Sequence, residues 1–257
     1  MFDILAVLGR GIQCLDPGSD PTDVASYVLT EDLEVCDENS AHLPVRVPAD
    51  DSSPYCMVGG GEMNLEAGRI LIRRYRPRFV VCAYGGRSDY LKSVDGPTES
   101  EVMSKGLAKL LATDALHLTR IRSVRDFRLS EIVVWPRERE LPVPSNTGQE
   151  IRNAFDLALE CRITTVGIVT VGVHVPRAMT YVAKHLSRHG VYEGLSVQVF
   201  ESEEMLVTAD PKSWPRVEAL RNSQAFTRNW GGKNREADGI SRIVRDVYGD
   251  AKPPVVA

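Results

Sequence analysis

The feature that most constrains this chain is a series of short strand-like segments separated by helical patterns. Ile4-Leu5-Ala6-Val7-Leu8 and Phe79-Val80-Val81-Cys82-Ala83 are continuous apolar runs. Ile132-Val133-Val134 and Val166-Gly167-Ile168-Val169-Thr170-Val171 repeat the theme further along, and Leu195 to Phe200 is another expected strand. A strand wet on one face alternates apolar and polar residues. A continuous run instead fits a strand buried on both faces, as in a parallel sheet.

The intervening segments carry helical periodicity. Met63, Ala67, Ile70 and Leu71 recur on one helix face after Gly59-Gly60-Gly61, and that pattern ends before Pro77. Thr98 followed by Glu101 has the form of a capping box, ahead of a stripe of Met103, Leu107, Leu110 and Leu111. Ser145-Asn146-Thr147 leads into a helix with Ile151, Ala154, Phe155 and Ala158 on one face. Pro176 suits a first helical turn, ahead of an expected inward stripe of Met179, Val182, Ala183 and Leu186. Two further helices are expected near residues 212–222 and 236–248. Strands alternating with helices give an α/β fold with a mainly parallel sheet and right-handed crossovers.

Charge divides the chain unevenly. The net charge is -4, from 31 basic and 35 acidic side chains. Residues 14–58 hold ten acids and a single base, Arg46, so that segment carries -9 and the remainder +5. It reads as an acidic insertion rich in turn formers, with Tyr27-Val28-Leu29 a short strand inside it. The glycines at 59–61 lack the Lys-Ser/Thr of a phosphate loop and read as a flexible hinge. With 43% hydrophobic and 26% charged residues, the composition excludes a largely disordered chain, a collagen-like repeat and a membrane bundle. The mild net charge argues against a dedicated nucleic-acid binder. Cys14, Cys36, Cys56, Cys82 and Cys161 form no Cys-x-x-Cys pair, so neither a disulfide framework nor a zinc site is expected. No basic, apolar leader and no membrane-length apolar segment is seen, which points to the cytoplasm.

The unusual polar residues fall just after the expected strands. Gly9, Arg10 and Gly11 follow the first, Gly85, Gly86 and Arg87 the second, and Thr170 and His174 a later one. Ser145, Asn146 and Thr147 stand where a helix begins, as does Glu99. In open α/β sheets ligands bind at the carboxyl ends of strands, near the point where strand order reverses. Glycine turns and helix N-termini there suit a phosphate, a carboxylate or a ribose. Gly9-Arg10-Gly11 is an incomplete dinucleotide fingerprint, because Cys14 occupies the third glycine position. His174 has the residue type for general acid–base work. Arg177, three residues on, has the planar fork for an anionic group.

In this order these segments resemble the YdcF-like (ElyC/SanA/YdcF) family, a bacterial domain of largely unknown function. The resemblance rests on Asp3 to Gly9, on Ala83-Tyr84-Gly85-Gly86, on Thr98 to Met103, on Ser145 to Ala154 and on Val169 to Ala178. Arg10 stands where that family commonly has a small residue, and Val171 where it has Ser. The resemblance implies a Rossmann-like three-layer sandwich, comprising residues 1–210 with the insertion at 14–58. A C-terminal helical extension, 211–257, would pack on the same domain. It also implies a crevice lined by Gly9, Gly85, Gly86, Glu99, Asn146, Thr147, Asn153, Thr170, His174 and Arg177. The expected ligand is a nucleoside- or phosphate-bearing small molecule, with S-adenosylmethionine the first candidate and no metal. Catalytic roles, if the protein is an enzyme, would fall to His174, Arg177 and Glu99. The alternatives are a phosphoryl or pyrophosphoryl hydrolase or transferase using His174 and Arg177, and a non-catalytic module whose acidic segment docks a partner. No nucleic-acid or membrane partner is expected, and homo-oligomerisation is left open. Leaving from beside Gly11, the acidic segment is placed to act as a lid on the crevice.

Overall fold

In the computed structural model, residues 2–15, 18–35, 56–82, 87–119, 130–134, 137, 146–187 and 190–230 are described. Five strands, β1 (Ile4–Val7), β6 (Phe79–Cys82), β7 (Glu131–Val133), β8 (Thr165–Thr170) and β9 (Ser196–Glu201), form one sheet in the order β7-β6-β1-β8-β9. Every pairing in it is parallel. The register runs Ile4 opposite Phe79 on one side of β1 and Ile4 opposite Val166 on the other.

β1 lies at the centre, which explains its unbroken apolar sequence. Ile4, Ala6 and Leu8 enter one core, and Leu5 and Val7 enter the other, as the two-residue period of a strand requires. On one face α1 (Gly61–Tyr75), α3 (Glu99–Thr119), α6 (Ser202–Ala209) and α7 (Trp214–Asn222) supply Met63, Leu71, Met103, Leu107, Leu206 and Val217. On the other, α4 (Thr147–Glu160) and α5 (Val175–Leu186) supply Ile151, Ala154, Phe155, Ala158 and Ala178. The result is a Rossmann-like three-layer sandwich. Among the described residues the remaining α-helices are the short α2 (Asp89–Ser93) and α8 (Gln224–Trp230). Among the described residues no helix is long and apolar enough to cross a membrane.

The expected capping box is present. Glu101 N–H donates to Thr98 Oγ1 at 3.1 Å, and Thr98 N–H donates to the Glu101 carboxylate at 2.7 Å. Arg137 clasps the same carboxylate through two bonds of 3.0 Å.

Two expectations are corrected. Of the stripe Met179, Val182, Ala183 and Leu186, only Val182 packs against the core; Met179 is 48% and Leu186 37% exposed, and Ala183 is exposed too. α5 turns instead on Ala178 and His185, whose Nε2–H donates to the Gly148 carbonyl at 2.8 Å and fixes α5 to α4. A small residue and a bonded histidine let the two helices approach, with Tyr181 and Val182 packed beside them and Met179 and Leu186 left outside.

The glycines at 59–61 are also not a loose hinge. The Gly59 and Gly60 amides donate to the carbonyls of Asp32 and Glu31, and Gly61 donates to Thr30 Oγ1. Gly60 adopts φ +83°, and a Cβ there would lie 2.3 Å from Val171. Glycine is needed at this point for a left-handed turn against the end of β8.

The described residues of the acidic segment contribute three further strands and the end of a fourth. β2 (Ile12–Cys14) pairs antiparallel with β3 (Tyr27–Leu29), and β4 (Leu33–Val35) with β5 (Cys56–Val58). Arg216 of α7 holds Asp32 through bonds of 2.5 and 3.0 Å and Glu66 through one of 2.8 Å. The helix expected at 236–248 lies outside the described residues.

Candidate functional site at the switch point of the sheet

From β1 the chain winds outward through β6 to β7, then returns to β8 and winds the other way to β9. The strand order therefore reverses between β1 and β8, and the crevice expected in such a sheet lies at their carboxyl ends. The turn Gly9–Gly11 leaves β1. The turn Val171–His174 leaves β8 and runs straight into α5.

Glu99 is the first surprise of this crevice. Its carboxylate accepts the Gly11 amide at 2.5 Å and lies so close to Gly9 that a Cβ there would sit 2.3–2.5 Å from it. Desolvation raises its pKa, against the hydrogen bonds from the Gly11 and Arg10 amides and the nearby Arg10 charge. The amides expected to cradle a ligand's anionic group are thus already cradling a carboxylate of the chain itself. Ser100 fixes this helix start, its hydroxyl donating to the carbonyl of Cys82 at the end of β6.

Arg10 turns from the same loop toward the acidic segment. Its Nε donates to the Gly59 carbonyl at 2.9 Å and its Nη2 to the Val58 carbonyl at 2.8 Å. Arg10 therefore joins the described part of the acidic segment to the β1 turn, together with Thr30, whose N–H donates to the Gly11 carbonyl at 3.3 Å.

His174 occupies the centre. It is 3% exposed, with Nε2 2.8 Å from Thr147 Oγ1 and Nδ1 2.9 Å from Thr170 Oγ1. In a neutral imidazole one nitrogen donates and the other accepts, and a hydroxyl can take either complementary role. Burial, then the charges of Arg10 and Arg177, hold its pKa well below the usual histidine range. It is thus an uncharged bridge between the end of β8, at Thr170, and the N-terminus of α4, at Thr147. Asn146 caps that helix, its side-chain oxygen accepting from Gln149 N–H at 3.1 Å.

Most of the expected residues therefore converge. Gly9, Gly11 and Glu99 meet after β1; Thr147, Thr170 and His174 meet after β8, with the charges of Arg10 and Arg177 acting on His174. Arg87 is held apart by Asp95, at 3.0 Å, and the Gly96 carbonyl, at 2.8 Å. Asn153 lies on the second turn of α4, with its amide nitrogen buried. Gly85, Gly86 and Ser145 lie outside the described residues. Among those described, no group of three or more His, Cys, Asp or Glu is placed to hold a metal ion.

Residues that sequence reasoning missed shape the crevice from behind. Thr30 receives Gly61 and reaches the Arg10 carbonyl. Asn64 donates to the Leu8 carbonyl at 2.8 Å, and Glu203 accepts the Gly172 amide. Asn64 gave one signal, a polar residue between Met63 and Leu65 on an apolar helix. Glu203 gave none, since an acid in a first helical turn is ordinarily solvated.

A separate cleft of about 560 Å³ lies between β3 and the α1/α3 pair, lined by Leu15, Tyr27, Leu29, Leu65, Val102 and Leu110 among others. None of the crevice residues lines it.

The fold defines the class: a Rossmann-like α/β protein, with polar groups and arginines gathered at its switch point. No family model, curated protein or solved structure matches the chain.

Proposed function

We propose that the protein binds a nucleoside- or phosphate-bearing small molecule in the β1/β8 crevice, with S-adenosylmethionine as the first candidate. The observation that carries this reading is the neutral His174 set beside two guanidiniums at the switch point. Because the imidazole is kept uncharged, the positive charge of the crevice belongs to Arg10 and Arg177. Arg177, in the first turn of α5, has the planar fork that suits an anionic group and is assigned to it. The first turn of α4, one bond from His174, adds the partial positive charge of a helix start. Glu99, already bonded to the glycine turn, keeps lone pairs for ribose hydroxyls.

Binding is preferred to phosphoryl transfer on one ground. A general acid or base must reach the ligand's proton, and both nitrogens of His174 are already bonded to threonine hydroxyls.

Calorimetric titration with S-adenosylmethionine, adenosine nucleotides and inorganic phosphate tests the proposal. At least one should bind, and Arg177→Ala should weaken it by about tenfold or more, the scale of a charge-assisted bond. No heat with any of the probes, or an affinity indifferent to Arg177→Ala, would sink it.

A further inference from the structure

The first two residues of α6 reach beneath the crevice. Ser202 and Glu203 follow β9 directly, and both are 0% exposed. The Ser202 hydroxyl donates to Asn64 Oδ1 at 2.7 Å, and Asn64, equally buried, passes the link to the Leu8 carbonyl. Glu203 accepts the Gly172 N–H with both carboxylate oxygens, at 2.8 and 3.0 Å. Gly172 opens the single helical turn that ends on His174. One dipeptide thus holds both loops of the switch point, the β1 loop through a neutral relay and the β8 loop through a titratable acid.

We propose that Glu203 is a positioning residue with a proton-controlled grip: ionised, it fixes the Gly172 amide and with it the His174 turn; protonated, it loosens that turn and lowers affinity for an anionic ligand. The link to affinity rests on the function proposed above; the grip does not.

Geometry and charge support this together. A hydrogen bond to an ionised acceptor is roughly twice as strong as one to a neutral acceptor, so the state of the acid decides how firmly Gly172 is held. Gly172 has little room to compensate, since a Cβ there would lie 2.9 Å from the Glu201 carboxylate. The charged groups facing Glu203 are Glu201, at the end of β9, and Arg221 of α7, which pair with each other. The turn itself contributes the Gly172 amide and the uncharged His174, and α1 brings the neutral Asn64. Burial pushes the Glu203 pKa up to about 7, with Glu201 acting the same way and the two backbone amides and Arg221 opposing. The group therefore changes state within the physiological range.

The test is a titration of isotope-labelled full-length protein between about pH 5.5 and 8.5, reading the Glu203 carboxyl and the Gly172 amide by NMR. Both resonances should move with one midpoint near 7, and the Gly172 movement should vanish in Glu203→Gln. Inorganic phosphate affinity, taken as the ratio of wild type to Glu203→Gln to cancel phosphate's own ionisation, should rise up to about fivefold across the range. A Gly172 amide that stays still, or that titrates equally in the variant, overturns the grip. So does a Glu203 midpoint different from that of Gly172, which the wild type alone reveals if the variant does not fold. Phosphate that binds with an unchanging ratio overturns the link to affinity. If Gly172 follows Glu203 but no probe binds at any pH, the grip stands and the ligand-binding reading falls.

Discussion

The carboxylate of Glu99 sits in the elbow of the first glycine turn, accepting the Gly11 amide at 2.5 Å. A carboxyl group of the chain itself occupies the place where a dinucleotide protein would hold a pyrophosphate. Gly9 is glycine because that carboxylate needs its space. Gly9→Ala should therefore destabilise the fold by about 1–3 kcal/mol, an overpacking cost. In a Glu99→Ala background the same change should cost clearly less. Denaturant unfolding of the four proteins gives the coupling, and strict additivity would refute the contact.

His174 should remain uncharged at pH values where free histidine is half protonated. Its folded pKa is depressed, so the unfolded chain binds the proton more readily. The stability it confers is complete above about pH 6.5 and is lost as pH falls toward the depressed value. Imidazole NMR checks the first statement. His174→Ala, which strands the hydroxyls of Thr147 and Thr170, should cost about 2–4 kcal/mol.

Glu203 has the opposite sign. Its pKa is raised to about 7, so the folded chain holds the proton more tightly than the unfolded one. Its penalty is absent below the ordinary carboxylate range and grows as pH rises through about 7. Glu203→Gln should gain stability relative to wild type along that interval. A stability difference that stays constant with pH would contradict this.

Arg216 joins α7 to the acidic segment at Asp32 and to α1 at Glu66. Its side chain is about a third exposed, so solvent screens part of the attraction. Arg216→Ala should cost about 1–2 kcal/mol, because the bidentate fork is lost. A cycle with Asp32→Asn should show coupling that weakens in salt.

Met179 and Leu186 look like core residues in sequence and are exposed in the fold. Met179→Lys and Leu186→Lys should each change stability by no more than about 0.5 kcal/mol. A large loss in either would mean that this face of α5 is covered in solution.

The layered α/β architecture was legible in the sequence because its signals are local. The central position of β1 shows in Ile4 to Leu8, where no solvent face forces alternation. The cap at Thr98 and Glu101 spans three residues, and the placement of polar groups after strands follows from the architecture. The α5 stripe was misread because periodicity finds an apolar face without telling which way it points. The helix was turned by Ala178 and His185, whose partners lie on α4.

Sequence alone determined that strands and helices alternate, that β1 is buried on both sides, and that Gly9, Glu99, Thr170 and His174 stand at element ends. Only the tertiary structure decided what those residues do. Glu99 reaches Gly11 across 88 positions, and Glu203 reaches Gly172 across 31. Whether an acid is a solvated surface group, an internal acceptor or a proton switch depends on how much water and which amides surround it. Those surroundings come from parts of the chain far away in sequence.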